Sequence, residues 1–197
     1  MSSIATDNKI NALEVAAGNV LIGGTAEANA RVLINLGTST GTQRTVTADA
    51  TGNWSYGVRK EDFSAWGQGV RTVSVTVSDA AGNLSQSVTR SLLIDTMAPT
   101  LTPLVLADAS DSGVKGDVRT SIKTPTIQFT AELGGQVSVD WKSTGTFAPD
   151  VAATGQLQSL TPPAGTFVSD GVYNVTVRLT DSAGNTSLRI LALTVDG

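Results

Sequence analysis

Two stretches of the chain alternate strictly between apolar and polar residues. In one, Val73, Val75 and Val77 are separated by Ser74 and Thr76; in the other, Val175, Val177 and Leu179 are separated by Thr176 and Arg178. An apolar side chain at every second position turns one face of an extended strand to a core and the other to solvent. The two stretches belong to one repeated segment. Gly69-Val70-Arg71-Thr72-Val73-Ser74-Val75-Thr76-Val77-Ser78-Asp79-Ala80-Ala81-Gly82-Asn83 returns as Gly171-Val172-Tyr173-Asn174-Val175-Thr176-Val177-Arg178-Leu179-Thr180-Asp181-Ser182-Ala183-Gly184-Asn185. The offset from Asp79 to Asp181 is 102 residues, a whole domain rather than a solenoid turn, so the pattern predicts two tandem modules, 1–95 and 96–197.

Each alternating run ends in Asp-x-Ala-Gly-Asn and is followed by a second extended run, 84–94 or 186–195. That is a hairpin whose turn uses Gly for positive φ and Asp or Asn for local backbone bonds. Upstream in module one, 20–26, 31–36, 43–48 and 53–58 are short runs rich in Val and Thr. They are separated by turn clusters such as Thr38-Ser39-Thr40-Gly41 and Asp49-Ala50-Thr51-Gly52. With a leading strand the total is about seven. No amphipathic helix stands out, and the predicted fold is all-β: two tandem immunoglobulin-like antiparallel β-sandwiches. With no Cys to clamp the sheets, Trp54, Trp66 and Trp141 are expected in the cores. All six prolines follow residue 98, so the modules are related but not copies. The stretch 143–167, with Pro149, Pro162 and Pro163, shows no readable strand pattern.

Composition narrows the chemistry. Hydrophobic residues are 40% of 197 and charged residues 15%, which suits folded domains. With 13 basic against 17 acidic residues the net charge is -4, so the basic footprint of a nucleic-acid binder is missing. The absence of His and Cys removes Ser-His-Asp and Cys-His catalysis, ordinary zinc sites and disulfides together. No apolar run approaches the length of a membrane helix, and residues 1–20 lack a secretory signal. Met1-Ser2-Ser3 reads as a start placed on a piece of a longer chain whose export signal lies elsewhere.

Three segments together, Asp49-Ala50-Thr51-Gly52-Asn53-Trp54-Ser55, Asp79-Ala80-Ala81-Gly82-Asn83 and Asp95-Thr96-Met97-Ala98-Pro99, resemble the tandem bacterial Ig-like repeats of giant RTX-type adhesins exported by type I secretion. The resemblance covers nearly the whole chain. It implies a monomeric stalk segment, secreted to the bacterial cell surface, whose partners are neighbouring Ig-like modules of the same chain. It also implies calcium (Ca2+) near the linkers as the stiffening ion.

A seven-strand sandwich of this type brings three of its turns to the pole where the chain enters, which gives a separate reason to expect metal. For module two those turns offer Asp181 and Glu132, and the linker brings Asp95, with Asp108 and Asp111 expected close by. In module one Asp79 holds the matching place, expected with Asp7 and Asn8, and Asp196 repeats Asp95 at the far end. Calcium takes about six to eight oxygens, so carboxylates from separate loops suffice. The acidic loop Asp108-Ala109-Ser110-Asp111-Ser112-Gly113-Val114-Lys115-Gly116-Asp117 is a second candidate, but Arg119 stands where an EF-hand needs its bidentate Glu. The alternative is that Asp79 and Asp181 only bond the amides of their own turns.

The predicted function is therefore structural and not enzymatic. A second reading is a module that binds a glycan or host protein through loops such as Phe63-Ser64-Ala65-Trp66 or Phe147-Ala148-Pro149. A glycosidase built on paired carboxylates would compete with the metal for the same residues.

Overall fold

The strictly alternating segments form the longest strands. The computed structural model describes residues 1–197 except 3, 6, 19 and 38–42, so the turn cluster Thr38-Ser39-Thr40-Gly41 lies outside the described residues. The chain divides into two units, Met1–Met97 and Ala98–Gly197, each closed around its own apolar core.

The first unit holds β1 (Lys9–Ile10), α1 (Ala12–Ala17), β2 (Leu21–Thr25), β3 (Arg31–Asn35), β4 (Gln43–Thr47), β5 (Asn53–Gly57), α2 (Lys60–Trp66), β6 (Gly69–Ser78) and β7 (Val88–Ile94). One sheet runs β1-β7-β6-β3-β4 and the other pairs β2 with β5. Ile22, Trp54 and Tyr56 from the small sheet pack with Val32, Ile34, Val73, Val75, Leu92 and Ile94 from the large one. The two helices are additions to the sequence reading. At six and seven residues they are too short to print an apolar stripe. Local chemistry starts α1: Asn11 accepts from the Glu14 N–H while Glu14 accepts from the Asn11 N–H, both at 3.0 Å. α2 buries Phe63 and Trp66, and the Trp66 indole N–H donates to the Leu36 carbonyl. Phe63 and Trp66 are core, not a ligand platform.

The second unit holds β8 (Val105–Leu106), β9 (Arg119–Thr120), β10 (Ile127–Thr130), β11 (Gln136–Asp140), β12 (Val151–Ala152), β13 (Leu157–Leu160), β14 (Gly171–Thr180) and β15 (Thr186–Val195). Its sheets are β12-β11-β14-β15-β9 and β13-β10-β8. The β14–β15 ladder is unbroken from Gly171 opposite Val195 to Thr180 opposite Thr186. In the first unit the equivalent hairpin is interrupted, because Ser85 takes both main-chain groups of Val77 before β7 begins at Val88.

In both units a two-residue strand pairs in parallel with the last one: β1 with β7 and β9 with β15. The equivalence is residue by residue. Leu93 N–H donates to the Asn8 carbonyl at 3.0 Å, as Thr194 does to Val118 at 3.1 Å; Asp95 donates to Ile10 and Asp196 to Thr120, both at 2.9 Å. Asn8 and Val118 both have positive φ, 62° and 58°. Asn tolerates that conformation, whereas a β-branched Val there is strained.

Candidate functional site

Three copies of Asp-x-x-Gly-Asn build one kind of turn. In each, the Gly N–H donates to the Asp carbonyl (Gly52 2.9 Å, Gly82 3.1 Å, Gly184 3.2 Å) and the Asp N–H donates to the Asn carbonyl. This is the pattern of a three-residue hairpin loop with a glycine bulge. The glycine φ values of 84°, 89° and 93° supply the left-handed conformation, and at Gly52 a Cβ would come within 2.4 Å of the Ala26 carbonyl oxygen. The aspartates tie the loops together. One carboxylate oxygen accepts two main-chain N–H groups: Thr51 and Asn53 on Asp49, Ala81 and Asn83 on Asp79, Ala183 and Asn185 on Asp181, all at 2.8 to 2.9 Å. The second oxygen of Asp79 and of Asp181 accepts from the side-chain amide of Asn83 and Asn185, at 2.8 and 2.9 Å. The Asn83 amide, and the Thr51 hydroxyl in the first copy, hold Asp79 and Asp49 below the usual carboxylate range. These aspartates therefore do structural work whatever else they bind.

At the upstream pole of the second unit, where the chain enters, the Ser187 hydroxyl donates to the Pro99 carbonyl. The Thr100 N–H donates to Glu132 Oε2 at 2.8 Å, while the Glu132 N–H returns to the Thr100 carbonyl at 2.9 Å. The structure thus brings Glu132 and the turn that precedes Ser187, which carries Asp181, to the entering linker. The first unit repeats the arrangement with a residue the sequence reading missed. Glu27, in the turn between β2 and β3, lines one cleft of about 330 Å³ with Asn29 and Asp79. The signal was available, since Glu27 and Glu132 occupy the same turn of the two modules.

Other expected neighbours lie elsewhere. Asp7 and Asn8 were expected with Asp79, but Asn8 is bonded to Leu93 at the far end of the β6–β7 hairpin, about 30 Å along β6. Asp7 Oδ1 accepts from Lys9 N–H at 2.9 Å, and Asn8 Oδ1 from Ile4 N–H at 3.1 Å. They share the downstream pole with Asp95, whose Oδ1 accepts from the Met97 N–H at 3.1 Å. Likewise Asp108, Asp111 and Asp117 do not join Asp181 and Glu132. The chain runs the length of the unit, about 25 Å over 100–107, pairing Leu101 with Ala131 and Leu106 with Ile127, before it reaches them. They stand at the downstream pole with Asp196, which shares a cleft with Asp117 and accepts from Arg119 Nη2 at 3.3 Å.

Each unit therefore carries carboxylates at both poles. They are hard oxygen donors, the class calcium takes, and main-chain carbonyls of the turns lie beside them. Among the described residues no three acidic side chains stand close enough together to hold a metal ion by themselves. The donor chemistry fits calcium, whose shell of about six to eight oxygens takes main-chain carbonyls and water beside carboxylates.

The chain is similar to several solved adhesin structures. One is a Ca2+-stabilized adhesin that helps an Antarctic bacterium reach out and bind ice, at 27% identity and a TM-score of 0.50, over 99% of this chain and 48% of that one. Another is a 1.5-MDa bacterial ice-binding adhesin solved in connection with host cell surface retention, at 23% identity and a TM-score of 0.49, over 99% and 63%. This chain thus spans about half to two-thirds of the length of those structures. No curated protein matches it. The model of the bacterial Ig-like domain matches twice, over residues 4–96 and 98–197. The chain belongs to the bacterial Ig-like domain family, with two domains in tandem.

Proposed function

We propose that this chain is a stalk segment of a large bacterial surface adhesin, secreted by the type I route and serving attachment of the cell in biofilm or to a host. Calcium, held by the carboxylates that flank the linker, Asp95 before it and Glu132 with Asp181 after it, stiffens the segment. The observation that carries the stalk reading is the path of the chain through one domain. In the second unit it enters beside Ser187, near the start of β15, and leaves past Val195 at the end of that same strand, about 27 Å away. The chain thus enters and leaves this domain at opposite poles, as a link in a stalk requires. The parallel pairing of β9 with β15 adds a mechanical consequence. Tension on the two ends loads those hydrogen bonds together in shear instead of opening them singly. Support for calcium comes from the similar adhesin that is Ca2+-stabilized and from the carboxylate oxygens at the poles. The reading assigns no catalytic residue. A ligand-binding role finds no support in the proposed loops: Phe63 and Trp66 are buried, and the Arg178 guanidinium covers the Phe147 ring at 4.1 Å.

The test separates turn from metal at Asp181. Asparagine keeps an oxygen that can accept from Ala183 and Asn185 but loses the charge, whereas alanine loses both. Calcium at a hundredfold over its dissociation constant adds about 2.7 kcal/mol to the folded state, which is roughly 10 to 20 °C in melting midpoint for a domain of this size. In melts with millimolar calcium and with chelator, Asp181→Asn is expected to lose most of the calcium-dependent rise, while its midpoint in chelator falls by less than that of Asp181→Ala because only the bond to the Asn185 side chain is lost. Asp181→Ala is expected to fall in both. An undiminished calcium response in Asp181→Asn removes Asp181 from the metal site.

A further inference from the structure

The loop 108–117 already contains a cation. Its first part is a tight turn in which the Ser110 and Asp111 N–H groups donate to the Ala107 carbonyl, at 2.7 and 3.0 Å. The carbonyls of Asp108 and Asp111 are left without such partners along the chain, and both accept from the Lys115 ammonium, Asp108 at 2.7 Å. The Asp111 side chain is 5% exposed. Its Oδ2 accepts from the Gly116 N–H at 2.6 Å, and its Oδ1 is buried with no hydrogen-bond partner. A buried carboxylate with an unmet oxygen is costly unless a positive charge stands close. Two other basic residues of this pole are paired elsewhere, Arg119 with Asp196 and Lys123 with Asp170, whose carboxylate also accepts from the Gly197 N–H. Lys115, bonded to the main chain of Asp111 itself, is the charge the loop supplies. Two main-chain carbonyls hold the ammonium and the unmet Asp111 Oδ1 lies in the same loop, a set of hard oxygens of the kind a divalent ion would otherwise take.

We propose that the loop 108–117 is a cation site whose occupant is the chain's own Lys115 ammonium, so that this loop is ordered without calcium. Asp108 and Asp111 then serve Lys115, not a metal. The inference concerns the downstream pole of the second unit and does not rest on the linker reading.

The Gly116 amide reports the loop directly, because it is bonded to Asp111 Oδ2. Hydrogen exchange of that amide in the full chain is expected to be equally slow in calcium and in chelator. In Lys115→Met the ammonium is gone while the two carbonyls and Asp111 Oδ1 remain. Exchange is expected to quicken by about tenfold or more in chelator, the loss of hydrogen bonds from a charged donor, and millimolar calcium is expected to slow it again. A wild-type amide protected only in calcium overturns the proposal, as does protection in Lys115→Met that persists in chelator. If calcium does not restore protection in Lys115→Met, the site is a hydrogen-bonded loop and not a cation site, which also overturns it. None of these results bears on the Asp181 melts, so the two readings fail separately.

Discussion

Replacing Asp62 with alanine is expected to lower the stability of the first unit by about 3 kcal/mol or more, because it strips the partner from a largely buried charge. Asp62 is 2% exposed. Its Oδ2 accepts the Tyr56 hydroxyl at 2.6 Å and the Arg59 N–H at 3.0 Å, and its Oδ1 accepts Arg44 Nη2 at 2.5 Å. Arg44 Nε closes the network on the Tyr56 oxygen at 3.1 Å. One carboxylate thus joins β4, β5 and the start of α2. Burial pushes its pKa up, but the Tyr56, Arg59 and Arg44 donors outweigh burial and hold it below the ordinary carboxylate value. The sign of the pH dependence follows. The contribution is fully present above the unfolded-state pKa of about 4 and is lost as pH falls through the lower folded value. Urea denaturation at neutral pH and again near pH 3 checks both parts. Asp62→Asn is expected to flatten the acid limb, and a loss below about 1 kcal/mol in Asp62→Ala would mean that the network is solvated.

The second large effect is expected at Phe167, in the stretch where the sequence shows no strand pattern. Phe167 is 1% exposed and lies between two rings, Trp141 at 6.4 Å edge to face and Tyr173 at 4.6 Å tilted. Phe167→Ala removes a ring from a closed core and is expected to cost about 3 to 5 kcal/mol in the second unit. Phe167→Leu keeps most of the volume and is expected to cost under about 2 kcal/mol. Equal costs for the two variants would show that volume does not govern this position.

Why some of this was legible in the sequence and some was not has physical reasons. Alternation at Val73, Val75 and Val77 and at Val175, Val177 and Leu179 is a direct print of one buried face, and it located β6 and β14. The turns were legible because Asp-x-x-Gly-Asn specifies both a left-handed position and its side-chain acceptor. The stretch 143–167 was not, since β12 buries nothing and Phe167 reaches the core from outside any strand. Asp62 belongs to no motif of the sequence, and its partner Arg44 comes from β4, 18 residues away along the chain. At the poles, Asp181 stands in a turn that an alternating strand announces, and Glu132 stands two residues past β10. Asp108 and Asp111 were misplaced because the first strand of the second unit is paired too sparsely to show a period.

The central claim is that calcium stiffens this pair of domains at the linker. Small-angle X-ray scattering of the whole chain in millimolar calcium and in excess chelator tests it most directly. The account predicts a larger radius of gyration with a narrow distance distribution in calcium, and a smaller average with a broadened distribution when calcium is removed. Superimposable curves in the two conditions would contradict it.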